Sequence, residues 1–300
     1  MPLLVTEAAK LSQEDKQRGV IEEIIDRDDL FALLPFTQVS DKVYAYVREK
    51  ELSEGTFLDP YDVITEGAAT FDEVTAKLKV LAGDVLMDKF TTSVQSSLND
   101  QVAIQLAAKA KGLGRLFRRT LVVGDEATNS KEFSGIRKLT PASQTLVAGA
   151  NGNAVSLAAL DELNDAVKLG TDVLMMRKGT WRGIRALLRA LGGNTPDHIM
   201  LENFGRSVPA YDGVPVIIND FIPADEVQGT NDATTSIYAL RLNEADGFHG
   251  IFGGGAAGIH LENIGTSHTQ DAERYRVKWY AGTALKATHA VARLRGITNV

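Results

Sequence analysis

The chain of 300 residues contains no cysteine. That absence excludes thiol nucleophiles, disulfide frameworks, thiolate zinc sites and iron–sulfur clusters, and it leaves the redox compartment unreadable. No stretch approaches the roughly 18 apolar residues that a helical membrane span needs. The opening MPLLVTEAAKLSQEDKQ lacks the basic leader and unbroken apolar run of a secretory signal. We therefore expect a soluble chain with no membrane partner. Walker A and G-x-S-x-G sequences are also missing. The five histidines, His198, His249, His260, His268 and His289, form neither H-E-x-x-H nor a pair four apart on a helix. Internal repeats and low-complexity tracts are absent.

What is present has ordinary globular proportions: 44% hydrophobic and 24% charged, with 39 acids against 32 bases for a net charge of −7. A chain this long can bury one large core or divide into two subdomains without a metal or disulfide staple. Its mild acidity argues against tight whole-surface attraction to nucleic acid. Charge is nevertheless unevenly distributed along it.

Ser12 followed by Asp15 resembles a capping box, and Val20, Ile21, Ile24 and Ile25 recur at helical spacing, predicting a helix over about 13–26. Leu30, Phe31, Leu33, Leu34, Pro35 and Phe36 form an apolar cluster, either ordinary core or an anchoring segment. Val43, Ala45 and Val47 alternate with Tyr44, Tyr46 and Arg48, while Val74, Ala76, Leu78 and Val80 alternate with Thr75, Lys77 and Lys79. Both patterns predict strands. More than twenty residues separate them, too many for a tight hairpin turn. From Glu49 to Glu73 there are eight acids (Glu49, Glu51, Glu54, Asp59, Asp62, Glu66, Asp72 and Glu73) and one base, Lys50. The segment is an acidic arm.

From Ser97 the pattern turns helical, with Leu98, Val102, Leu106, Leu113, Leu116 and Phe117 near one stripe, predicting a long helix that ends near Thr120. Its C-terminal half holds Lys109, Lys111, Arg115, Arg118 and Arg119 and no acid. That is a solvated face, favourable at the negative end of the helix dipole, or a docking surface. Beyond Gly124 the texture becomes mixed. Ser156 and Thr180 are expected to cap helices, and Val173–Met176, Val214–Asn219 and Ser236–Arg241 to be strands. A final strand pair is expected from Arg274. The order predicts an α+β fold.

The run FGGGAAG places Gly253, Gly255 and Gly258 at dinucleotide-fingerprint spacing, but IHLENI follows as a strand where that fingerprint requires a helix. A glycine loop is the better reading. His260 and Glu262 share a strand face, which specifies no metal without further ligands. Arg182, Arg185 and Arg189 share a helix face without interleaved aromatics, so base-specific nucleic-acid reading is not expected. No residue is nominated as catalytic, cofactor-binding or metal-binding. An arm that cannot bury itself must cover a neighbour, and its charge would select a basic surface there.

The blocks EAAKLS and GVIEEII, LPF at Leu34–Phe36, Thr65–Val85, Val122–Leu139, Ala159–Val167, Tyr211–Asp220 and Arg276–Leu285 occur in order along nearly the whole chain. Together they resemble a major capsid protein of tailed bacteriophages with the Hong Kong 97-type shell fold, which encapsulins share. The resemblance implies an N-terminal arm over 1–42 and an extended loop over 43–81 that overlaps an adjacent subunit. It implies a peripheral domain over 82–140 and 258–285 with a spine helix at 97–120, and an axial domain over 141–257 and 286–300.

On that reading the chain is a non-enzymatic structural protein. It builds hexamers and pentamers of an icosahedral head around double-stranded DNA, with a portal protein at one vertex and with possible scaffold and decoration proteins. It would be assembled in the bacterial cytoplasm and end in the virion. An encapsulin-like compartment holding a cargo enzyme is the alternative. Since the arm follows Met1 within about forty residues, any scaffold is expected to be a separate protein. The Lys–Asn cross-link of some relatives has no matching residues here. Glu49, Glu51, Glu54, Asp59, Asp62 and Glu66 become candidate inter-subunit groups, and Lys109, Lys111, Arg115, Arg118 and Arg119 face a neighbour or DNA.

Overall fold

The computed structural model describes residues 29–64, 66–95, 101–192, 197–201, 206–254 and 258–300. The helix expected over 13–26 and the beginning of the long helix at 97–100 lie outside the described residues. Strands and helices combine in two sheets, a separate hairpin and one long helix, an α+β architecture.

The first sheet uses β1 (Phe36–Gln38), β4 (Lys79–Asp88), β12 (Phe248–Phe252), β13 (His260–Thr266) and β14 (Ala272–Leu285). β14 is its axis. β4 pairs with residues 272–281 on one edge, while β13 and then β12 pair along the other, so residues 273–278 and 281 are bonded on both sides. The alternation read from sequence holds: Val277 and Trp279 are buried, whereas Arg276 stands out and forks onto Asp84 at 2.7 and 2.9 Å. Lys278 reaches Glu262 at 2.6 Å. The strand begins two residues before the expected Arg274.

The long helix, Gln101–Val123, ends three residues beyond Thr120. Its buried Phe117, Leu121 and Val122 pack on the first sheet, with the Phe117 ring 4.3 Å from Trp279. Phe31 and Phe36 complete an aromatic cluster around that contact. The apolar segment at 30–36 is thus core, and the cluster extends through Leu30 and Leu34.

The second sheet runs in the order β5 (Thr145–Val147), β15 (Val291–Ile297), β11 (Asn231–Leu240), β6 (Val173–Met176), β9 (Val214–Ile218), β8 (Arg206–Tyr211) and β7 (Asp197–Leu201), with β10 (Glu226–Gln228) also on β11. Side chains alternate between its faces. Leu174, Met176, Ile237 and Ala239 meet Leu160 and Leu163 of helix Leu157–Ala166 and Trp181 and Ile184 of helix Lys178–Ala190. Met175, Tyr238 and Leu240 turn the other way, towards Phe117 and Leu121.

Three details differ from the sequence expectation. Ser156 caps its helix by accepting from the Ala159 amide at 3.2 Å, but Thr180 does not cap the next one. Arg177 occupies the N-cap, and Thr180 lies inside the helix with Oγ1 donating to the Asn299 carbonyl at 2.8 Å. The chain leaves the second sheet between Leu240 and Phe248, because β12 bonds β1 and β14; the division drawn at residue 257 falls after that crossing. Finally, β11 begins at Asn231, five residues before Ser236.

Candidate functional site

β2 (Val43–Glu51) and β3 (Thr70–Lys77) pair only with each other, as a two-stranded hairpin. The pairing extends to Glu51 and Thr70, which leaves 52–69 as the connection. On one face Tyr44, Tyr46, Val74 and Ala76 are half-buried against the body, resting with Leu78 on Val39, Ile251 and Ala284. The valine face is the outer one: Val43, Val47 and Phe71 are exposed. The inner position lets an aromatic ring pack on the body while a polar tip reaches a partner, as Tyr46 does. Tyr46 Oη donates to the Leu285 carbonyl at 2.6 Å, and burial raises its pKa above the ordinary phenol value. Arg48 donates to the carbonyls of Leu285 and Lys286. Lys286 in turn lies 5.8 Å from the Tyr44 ring centre.

Glu126 fastens the root, accepting from Lys77 and Lys79 at 3.0 Å each. Beyond the root the other described residues leave the arm uncovered. Residues 52–64 and 66–68 are all exposed, with Phe57 and Tyr61 as open as in an extended peptide, at 108% and 104%. Val63 and Ile64 are exposed beside them. Asp59 and Asp62 are linked by two turn contacts, the Asp59 amide donating to Asp62 Oδ2 at 2.9 Å and the Asp62 amide to the Asp59 carbonyl at 3.1 Å. Among the described residues Glu49, Glu51, Glu54 and Glu66 make no ion pair, and Lys50 meets only Asp72, at 3.8 Å. The arm thus combines acids that mostly lack ion-pair partners among the described residues with a large exposed apolar surface.

The five basic residues of the long helix do not act as one patch. Lys109 lies across the backbone of Gly83, where an added Cβ would come within 2.3 Å of its Cε. Arg118 stacks over the Phe31 ring at 5.6 Å. Arg115 is half-buried, whereas Lys111 and Arg119 are exposed. Arg119 joins Arg137 and Arg177 around a shallow depression that also holds Asp220, Asp225 and Glu226, so its charge is locally balanced. A different groove carries exposed apolar surface. Between β4, the long helix and residues 129–133, exposed Val80 and Leu116 lie over Phe117 and Phe133, with Lys131, Glu132 and the Glu126-paired Lys79 also lining it. Sequence reading missed it because its wall comes from three separated segments.

Among the described residues no group of three or more histidines and carboxylates converges as a metal site. Glu262, the partner considered for His260, is held by Lys278, whose hydrogen bond lowers its pKa. The strand expected after the glycine run is β13, and residues 255–257 of that run lie outside the described residues.

No protein-family model matches the chain, and no curated protein does. Solved structures do. The holo-SrpI encapsulin complex from Synechococcus elongatus PCC 7942 aligns with a TM-score of 0.74 at 20% identity, over 99% of this chain and 96% of that one. The capsid of a native GTA particle gives 0.68 at 14% identity over 98% of both chains. A Microbacterium phage Oxtober96 structure gives 0.67 at 12% identity, over 96% of this chain and 97% of that one. The chain has the Hong Kong 97-type capsid fold. The likeness runs end to end, so no large segment is foreign to that architecture.

Proposed function

We propose that this protein is a structural shell subunit, many copies of which assemble as hexamers and pentamers into an icosahedral phage head enclosing double-stranded DNA. The observation that carries the reading is the arm: a hairpin fixed at its root, with Phe57, Tyr61, Val63 and Ile64 uncovered. A lone protein in water gains nothing by holding such a surface open. A neighbour that buries it does. The residues of 43–81 act as the extended loop, the long helix as the spine, and Glu49, Glu51, Glu54, Asp59, Asp62 and Glu66 as inter-subunit acids. The groove at Val80 and Leu116 fits an acidic, apolar segment. The role is structural and non-enzymatic. A portal protein, and scaffold or decoration proteins, would complete a virion built in the bacterial cytoplasm.

The likeness to the SrpI encapsulin supports a second reading, a compartment holding a cargo protein. Electron microscopy of the expressed chain should show closed shells; a monomer under every assembly condition overturns both readings. Nuclease-protected DNA inside the shells supports the phage head, and a co-purifying protein cargo supports the compartment.

A further inference from the structure

Helix Lys178–Ala190 carries Lys178, Arg182, Arg185 and Arg189 at intervals of four, three and four residues. At 1.5 Å per residue these four lie on one face over roughly 16 Å. All four are exposed, while Trp181 and Ile184 on the opposite side are buried against the second sheet. The helix contains no acid. Among the described residues none of the four cations has a carboxylate partner; the one contact is Arg189 Nε donating back to the Arg185 carbonyl at 3.3 Å. Like charges at these spacings repel one another. In a chain of net charge −7, this is a concentrated positive stripe that no carboxylate among the described residues answers.

Two anionic partners could do so, and the chemistry separates them. The acidic arm of a second copy brings Phe57, Tyr61, Val63 and Ile64 with its carboxylates, and the stripe offers those rings no apolar seat of its own. A phosphate backbone brings regularly spaced charge and needs none. Arginine forks suit phosphate oxygens, and the absence of aromatics along the stripe removes base stacking. The geometry points to Lys178, Arg182, Arg185 and Arg189 as a sequence-independent contact for the phosphate backbone of double-stranded DNA. This inference rests on the DNA-filled reading of the shell and gives that partner a surface. It also moves the contact away from the long helix.

The test uses the purified full chain and a short random-sequence DNA duplex, with affinity followed by fluorescence anisotropy across a salt series. Each lost phosphate contact removes about 0.9 from the slope of log affinity against log salt. R182Q/R185Q/R189Q should therefore flatten the slope by roughly 2.7 and weaken low-salt binding about tenfold or more. R182K/R185K/R189K should restore the slope, and R115Q/R118Q/R119Q should leave it nearly unchanged. An unchanged slope in the first variant overturns the proposal, as does a lysine variant no better than the glutamine one. A synthetic peptide of residues 49–73 is the competing probe. If that peptide loses its binding in the glutamine variant while DNA does not, the stripe belongs to a neighbour's arm and the proposal fails. Micrographs of the wild-type chain are scored separately: absent shells would sink the proposed function, whatever the salt slopes show.

Discussion

β14 and the β2–β3 hairpin are both antiparallel structure, yet they solve opposite problems. β14 is bonded along both edges, buries Val277 and Trp279, and answers its outward cations with Asp84 and Glu262. The hairpin is bonded only to itself, shows Val43, Val47 and Phe71 to water, and holds eight acids against one base between Glu49 and Glu73. An isolated two-stranded hairpin is marginal in water. Its root contacts fix where it leaves the body, and its tip is left with unmet demands. The body buries its apolar groups within the chain, whereas the arm leaves Phe57, Tyr61, Val63 and Ile64 exposed.

That contrast breaks first at the arm tip. E51K/E54K/D59K should reduce shell yield by roughly tenfold or more, the factor that follows from losing about 1.4 kcal/mol of association. Stability of the unassembled chain should change by less than about 0.5 kcal/mol, as for other surface substitutions. Sedimentation and a denaturant titration on the same preparations check both halves; unchanged shell yield removes the charge argument. The converse variant is Phe117→Ala. Phe117 is 1% exposed and packs on Trp279, so its loss should cost about 3–5 kcal/mol of folding stability. A loss below about 1 kcal/mol would mean that the body is not the self-sufficient unit described.

The seam between the two regions contains His249. It is fully buried, and its ring meets Tyr44 edge-on at 6.0 Å. Burial first, and then the Lys286 charge, lower its pKa below the ordinary imidazole value, against smaller opposing pulls from a backbone hydrogen bond at Gly247 and the Glu244 charge. The folded state therefore binds the proton more weakly than the unfolded chain. Stability should be full above about pH 6.5 and decline as pH falls through that value towards the lower folded one, by at most about 1.4 kcal/mol per pH unit. His249→Phe should flatten this part of the stability profile, measured by urea titration at several pH values. If the wild-type and variant profiles are parallel, His249 is not the group that titrates.

Much of the body was legible because its elements obey local periods. The alternation from Arg274 onward, the run at Val173–Met176 and the Ser156 cap each depend on neighbours within a few residues, and each is present. What local pattern could not reveal depends on partners far along the chain. Thr180 has the side chain of a cap but spends its hydroxyl on Asn299, which sequence spacing cannot foresee. Val43 and Val47 look like the inner face of a strand, yet Tyr44 and Tyr46 take that place because the body presents carbonyls and a small apolar floor to them. The basic end of the long helix reads as one patch, but Gly83 and Phe31 divide it. The acidic arm was visible as composition; its apolar exposure and the groove that suits it required coordinates.

The smallest effect tests how loosely the two regions are joined. Glu126 accepts from Lys79 and Lys77 at the hairpin root, and these hydrogen bonds lower its pKa, Lys79 contributing most. A depressed carboxylate pKa stabilises the fold above the unfolded value, and that contribution is lost as pH falls through the folded one. Because the group is partly exposed and screened, Glu126→Gln should cost only a few tenths of a kcal/mol, less at high salt. Limited trypsin digestion should be more responsive, since Arg48 and Lys50 become cleavable once the root loosens even slightly. A loss above about 2 kcal/mol would exceed what an exposed pair can supply, and would mean that the hairpin root carries part of the body's own stability. Unchanged digestion together with unchanged stability would place the whole attachment in the contacts of Tyr44, Tyr46 and Arg48.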